Sequence, residues 1–352
     1  MKKLILSLIA VAIGTLSSFA QSDLVATLSH GSSLSTFSGM DALSEAYAVA
    51  EEGDVITLSP GVFNAVNIEK AITVRGAGMQ PMESNGYVVT QITGAMTITV
   101  PDDASSVLTL EAVNPLAGVK IYGNNLAPIN LTKCRFENYV EGYGISMNAV
   151  SCIFVTCLSS NIKYNTNQYR NTSLNCYNCV ITSATASGIS GSYLAKIVAN
   201  NCIVLTNDDY VPYCSFTNCI ISSFDSNAEL PQTCNAHNCV GINLWSTPNC
   251  FQNIVDPTNV MVEGSSTTAC ASVFKTYIPA IVNSNVVPPA FTETFELTET
   301  AAATYLGDDG TQVGIYGGTT PFNPTPSNPQ VKKFTVNSTT EGDQLKVKIN
   351  VE

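Results

Sequence analysis

The chain has 352 residues, with 15 Lys and Arg against 27 Asp and Glu, a formal charge of −12. An acidic balance argues against nucleic acid and anionic membrane as partners, because both reward basic patches. It leaves neutral glycans, or cations held by carboxylates, as fitting partners. Only 12% of residues are charged while Asn, Ser and Thr are abundant, a composition that suits flat sheet faces better than helices.

Residues 1–20 read as a secretory signal peptide. Lys2 and Lys3 form the charged start, Leu4 to Ile13 the apolar stretch, and Ser18-Phe19-Ala20 a small-x-small cleavage site. The apolar run is shorter than the roughly 20 residues a membrane span needs, and no later stretch is long and apolar enough. No cysteine precedes Cys134, so the cleavage point offers no site for a lipid anchor. The remaining chain carries 13 basic residues against 27 acids, a formal charge of −14. The expectation is export to the periplasm, the cell exterior or the cell surface, with no transmembrane segment in the mature chain. Oligomeric state is not legible.

Residues 21–53 read as an N-terminal cap. Leu24 to Leu28 suggests a small strand. Asp41 to Glu52 is the one convincing helix, with Leu43, Ala46, Tyr47 and Ala50 forming an amphipathic stripe. Ser38 with Asp41 resembles a capping box, and Gly53 marks the end of the helix. The use of such a helix is to cover the apolar end of a stacked β array.

Residues 54–318 read as that array. Asp54-Val-Ile-Thr-Leu58 is followed by Ser59-Pro60-Gly61, and short alternating runs punctuated by Gly, Pro or Asn continue through Val119-Lys-Ile121. From Cys134 one phrase recurs six times: Lys133-Cys134, Ser151-Cys152, Asn178-Cys179, Asn201-Cys202, Asn218-Cys219 and Asn238-Cys239. Two positions after the cysteine stands Phe136, Phe154, Ile181, Val204 or Ile221, and only Gly241 departs from the rule. Self-similarity at this irregular period marks a solenoid, one coil per repeat. The short strands lack intervening helices, which disfavours a layered α/β sheet. The expected fold is all-β: a right-handed single-stranded parallel β-helix with an N-terminal capping helix. The repeats fade after Cys250, and Phe295 to Leu297 with Val313-Gly-Ile315 fit either last strands or a C-terminal cover. Residues 319–330, with prolines at 321, 324, 326 and 329, read as a linker, and residues 331–352 as a short C-terminal β tail.

Twelve cysteines in an exported chain first suggest disulfides. Stacked coils put equivalent side chains roughly 4.8 Å apart, wider than the Cβ spacing of about 3.8 Å that a disulfide prefers. Buried free thiols are therefore favoured. Cys176-x-x-Cys179 lacks a second pair and a histidine, so no metal site is expected.

Gly53-Asp-Val-Ile-Thr-Leu-Ser-Pro-Gly-Val-Phe63 with Ile72-Thr-Val-Arg-Gly-Ala-Gly78 resembles the opening coils of the pectate-lyase-like superfamily of parallel β-helix proteins. Asp309-Gly-Thr-Gln-Val-Gly-Ile-Tyr-Gly-Gly318 is similar to the closing segment of secreted β-helix proteins of Bacteroidetes-type bacteria. The resemblance spans roughly residues 24 to 318 and is specific for fold, since this fold hosts lyases, hydrolases, adhesins and proteins without known activity. It implies carboxylates holding calcium plus a basic residue for a lyase, or paired aspartates for a hydrolase.

Those patterns are thinly represented. Residues 104–207 hold only Glu111, Glu137 and Glu141 as acids. Asp208 and Asp209 form the one adjacent acidic pair near the cysteine coils, and Arg170 and Lys163 could neutralise an acidic sugar; these four are the weak catalytic candidates. His237 stands alone before Asn238. Tyr164, Tyr169, Tyr193 and Tyr210 are the candidates for ligand binding, since tyrosines beside amides suit sugar rings and hydroxyls. The leading expectation is a non-catalytic secreted or cell-surface protein that binds glycan or acts as an adhesion scaffold. No cofactor is expected. The rival is a polysaccharide lyase or glycoside hydrolase acting on acidic polysaccharide, with calcium if it is a lyase.

Overall fold

The computed structural model describes residues 24–80, 89–102, 106–123, 127–155, 158–161, 163–164, 168–169, 172–182, 184–187, 195–206, 214–223, 234–243, 251, 254–262, 266–278, 281–282, 285–286, 289–290, 292–327, 331–336 and 347–351. The expected signal peptide, residues 1–20, lies outside them.

The coils described in full follow the same path. A strand of the first sheet ends at a corner residue in the left-handed region, a cysteine or its equivalent turns inward, a short strand of the second sheet follows, and a strand of the third sheet returns the chain to the next rung. Ser146–Val150, Ile153–Phe154 and Leu158–Asn161 make one such coil. The result is a parallel β-solenoid of about six turns. The first sheet holds 11 strands, the second seven (Arg135–Phe136 to Val260–Val262) and the third five (Met96–Thr99 to Ala184–Ser187). Apart from the N-terminal strands, pairing within these sheets is parallel and in register, for example Asn130↔Asn148↔Asn175 and Phe136↔Phe154↔Ile181.

The recurring polar-Cys phrase is this corner. Lys133, Ser151, Asn178, Asn201, Asn218 and Asn238 all have φ between 49° and 54°. That region disfavours most L side chains, and Asn tolerates it best after Gly. Ala112, with φ 54°, is the same corner one coil earlier, where no cysteine announces it. Each corner amide donates to the next coil: Ser151 N to Tyr177 O at 3.0 Å, Asn178 N to Asn200 O at 3.1 Å, Asn201 N to Thr217 O at 3.0 Å.

Inside the coils the cysteines form a ladder. The backbone N–H of Cys134, Cys152, Cys179 and Cys202 each donates to the sulfur of the next cysteine along, at 3.4 Å in every case. All ten described cysteines are free and buried. Desolvation pushes the Cys152 and Cys202 thiols well up and Cys270 to about 12, while at Cys179 and Cys219 desolvation is outweighed by hydrogen bonds from neighbouring thiols, which hold them well down. Burial of all ten is what keeps a reagent from them. The expected result is that these ten thiols ignore an aromatic disulfide reagent in the native protein and all react once it is unfolded in guanidinium. Rapid labelling of several of them under native conditions would contradict this packing.

The N-terminal cap is a hairpin plus a helix. Val25–His30 pairs antiparallel with both Ser33–Ser38 and Val55–Leu58, and the helix Ala42–Val49 lays buried Ala42, Leu43 and Ala46 over the first coil. The expected capping box is not formed. Asp41 is the N-cap but makes no side-chain cap bond, because its carboxylate accepts from Asn64 Nδ2 at 2.7 Å on the solenoid. Nor does Gly53 end the helix: the helix stops at Val49, and Ala50 is already extended.

Two further helices were not expected from the sequence. Ser266–Val273 and Glu299–Thr304 are short and rich in Ala, Ser and Thr, so packing rather than propensity holds them. They cover the outer flank of the second sheet, where Ile153, Val180, Ile203, Ile220 and Val240 face away from the coil interior yet are fully buried. Phe274, Tyr277, Phe295, Leu297, Val313 and Ile315 complete that second core. Strands buried on both faces read as continuous apolar runs, as Ile153-Phe-Val155 and Ile203-Val-Leu205 do. The segments 295–297 and 313–315 are thus cover rather than last coils of the array. Val331–Val336 and Val347–Val351 form an antiparallel pair in the C-terminal tail.

Candidate functional site

The outward faces of the first and third sheets are the surfaces a solenoid offers to a ligand. On the first sheet one outward row holds Asn130, Asn148 and Asn175 in register. Asn175 donates through Nδ2 to Asn148 Oδ1 at 3.0 Å, Asn148 donates to Asn130 Oδ1 at 3.3 Å, and Ser146 and Ser173 share a hydroxyl contact at 2.9 Å. These groups satisfy one another along the axis, as identical rungs spaced by the strand separation must.

The third sheet carries the chemistry. Val119–Tyr122 pairs with Val140–Tyr143 in register, so Lys120 lies beside Glu141 and Tyr122 beside Tyr143. Val119, Ile121 and Val140 point into the core, which puts Lys120, Tyr122, Glu141 and Tyr143 on the outside, half-buried. The two tyrosine rings stack with centroids 4.6 Å apart and planes 15° from parallel. Tyr143 donates its hydroxyl to Glu141 Oε2 at 2.6 Å, and Lys120 Nζ lies 3.9 Å from the same oxygen. The row of Lys120 and Glu141 begins at Thr97, and that of the tyrosines begins at exposed Thr99 and continues in register to Asn161. The cluster therefore sets a half-buried pair of rings, stacked on each other, beside an oriented carboxylate and an ammonium group, flanked by small hydroxyl side chains.

Of the residues favoured from sequence, Lys163, Tyr164 and Tyr169 are described and stand outside this cluster. Lys163–Tyr164 and Gln168–Tyr169 form a small antiparallel pair between two coils, with Lys163 opposite Tyr169 and Tyr164 opposite Gln168. Asp208, Asp209, Arg170, Tyr193 and Tyr210 lie outside the described residues. Tyr122 and Tyr143 went unnoticed although a signal existed: Val119-Lys-Ile-Tyr122 and Val140-Glu-Gly-Tyr143 repeat the pattern Val-x-x-Tyr one coil apart.

His237, solitary in the sequence, is not solitary in space. Its Nδ1 lies 2.8 Å from Asp256 Oδ2 and its Nε2 lies 3.0 Å from Asp308 Oδ1. The hydrogen bond to Asp256, then that to Asp308, raises its pKa above the usual histidine value. Thr258 Oγ1 is 3.3 Å from the same Nδ1 but donates to Asp256 Oδ1 at 2.6 Å. A hydroxyl that gives its proton to a carboxylate beside an imidazolium is not an activated nucleophile. This cluster is an ion clamp rather than a catalytic triad. Among the described residues no three His, Cys, Asp or Glu side chains converge as a metal site, and no helix is long and apolar enough to cross a membrane. No protein-family model matches the chain, and neither does any curated protein.

Proposed function

We propose that the protein is a secreted or cell-surface β-helix protein of the pectate-lyase-like type that binds neutral glycan without cleaving it, through the outward face of the third sheet. The observation that carries this reading is the stacked Tyr122–Tyr143 pair beside Glu141 and Lys120. Ring faces suit the apolar side of a pyranose, and a carboxylate and ammonium group held in place suit its hydroxyls. The charge of −12 supports a neutral rather than polyanionic ligand. A rigid sheet also limits the entropy lost on binding.

The test is a glycan array probed with the mature chain, followed by titration of any hit against Tyr143→Ala and Tyr122→Ala. Losing a stacked ring removes about 0.5–1.5 kcal/mol, so each variant binds about twofold to tenfold more weakly. Hits that both variants retain at full strength would remove the site from the third sheet. The same hits are incubated with the protein, with and without calcium. New unsaturated ends or reducing ends would replace the binding reading with a lyase or a hydrolase.

A further inference from the structure

After the helix Glu299–Thr304 the chain turns back and runs along the solenoid corner, from its late coils toward its early ones. Asn238 Nδ2 donates to Asp308 Oδ1 at 2.5 Å, and the Asp308 amide donates to Asn218 Oδ1 at 3.3 Å. Gly314 N donates to Asn218 O at 2.9 Å. Asn178 Nδ2 donates to both Ile315 O at 2.9 Å and Gly317 O at 2.8 Å. Farther along, Asn323 N donates to Ser151 Oγ at 3.3 Å, Lys133 Nζ donates to Thr325 O at 2.7 Å, and Ser327 donates to Glu111. As the strap advances from 308 to 327, its partners recede from 238 to 111.

The fit is close as well as polar. A Cβ on Gly317 would sit 1.8 Å from Gln312 O and 2.6 Å from Asn201 Nδ2, so only glycine passes that corner. Val313, Ile315 and Phe322 sink into the apolar flank of the second sheet. Asn178, Asn218 and Asn238 thus have two tasks: they accept left-handed backbone, and their side chains hold the strap. Asn201 packs against Gly317 without a hydrogen bond from its Nδ2. This includes the residues expected as a linker from 319 onward, of which Asn323, Thr325 and Ser327 are bonded to the coils.

We propose that residues 306–327 are a clasp that locks the register of the coils, and that the His237–Asp308 contact is its proton-operated hook. In a solenoid each coil touches only its neighbours, so coils can open singly from an end. A strap bonded to successive corners removes that freedom, since opening one coil first requires lifting the strap from several. The hook follows from donor counting. Histidine donates from both nitrogens only as the cation; neutral, it must give up one of its two carboxylates. The charged groups around it are Asp256, on the turn before the strand Val260–Val262, and Asp308 on the strap, while neighbouring Asp309 is turned to Thr311 N and Oγ1.

The pH window follows from both partners. The pKa of His237 is raised, so its contribution is complete below the ordinary histidine value of about 6.5 and is lost as pH rises through the raised value. Asp256 is held at about 2, by Thr258 first and His237 second, so its contribution is complete above the ordinary carboxylate value and is lost as pH falls through about 2. The hook is tightest between about pH 4 and pH 6.5.

Hydrogen exchange read by mass spectrometry on the full chain tests both parts, at pH 5.5 and 8.5 and corrected for intrinsic rates. The expected result is that strap amides such as Gly314 and Phe322 are protected together with the corner amides of Asn178, Asn201 and Asn218. Their protection falls about threefold to tenfold at pH 8.5. Asp308→Asn, which keeps the size but not the charge, abolishes the pH difference. Strap amides exchanging freely at both pH values beside protected corners would overturn the clasp. Equal protection of the wild-type strap at both pH values would overturn the hook, whether or not the variant folds.

Discussion

Asn178→Ala is expected to destabilise the protein by about 2–5 kcal/mol, read as a shift in the denaturant midpoint at unchanged slope. Two losses combine. Asn178 has φ 51°, and forcing alanine into left-handed backbone costs about 1–2 kcal/mol. Its amide also donates to Ile315 O and Gly317 O at a buried position. Ile315 O keeps the Phe322 N–H at 2.7 Å, so Gly317 O is the carbonyl deprived of its donor, at a cost of about 1–3 kcal/mol. Two companions separate these terms. Asn178→Gly relieves the backbone and keeps the hydrogen-bond loss, so it is milder than alanine by about 1 kcal/mol. Asn178→Asp retains the shape and turns an acceptor toward two carbonyl oxygens, so it is at least as damaging as alanine. A glycine variant as stable as the wild type would show that the strap bonds contribute nothing and that the corner needs only its backbone geometry.

The contrast between this corner and the strap it holds explains how far the sequence could be read. Asn178-Cys179 was legible because both residues answer local constraints that recur in every coil: a left-handed corner and an inward site of fixed size. The inward Phe136, Phe154, Ile181, Val204 and Ile221 were legible for the same reason. Ile153, Val180, Ile203 and Ile220 stand one position earlier and were passed over, although two adjacent apolar residues in so short a strand already require a cover on the outer side. The cover itself was harder to foresee. Its helices have weak intrinsic signals, and most strap contacts are made to backbone carbonyls and amides, which leave little trace in residue type. Prolines at 321, 324, 326 and 329 read as a linker, and proline equally suits an extended segment laid along a surface. The Tyr122–Tyr143 pair was hidden for a related reason. Tyrosines in the long interval between Cys152 and Cys179 drew attention by density, whereas Tyr122 and Tyr143 meet through register alone, and register becomes visible only when successive coils are aligned.

Phe154→Ala is the second large effect, an expected loss of about 3–5 kcal/mol. Phe154 is fully buried and stacks on Phe136 with centroids 5.3 Å apart and planes 8° from parallel. Truncation leaves a cavity beside the cysteine ladder, and the solenoid has little freedom to close it. Rung spacing is set by backbone bonds on both sides of the gap, Val155 N to Phe136 O at 2.9 Å and Thr182 N to Phe154 O at 3.1 Å, so neighbouring coils cannot move inward without breaking their own ladders. Phe154→Leu refills most of the volume and is expected to cost less than about 1.5 kcal/mol. Phe136→Ala combined with Phe154→Ala should cost less than the two separate losses added together, because the stack they share is removed once in the double variant and counted in each single one. Strict additivity would mean that the rings contribute only through their own burial. A loss below about 1 kcal/mol for Phe154→Ala alone would mean that the coil can collapse around the gap, which the inter-coil hydrogen bonds do not allow.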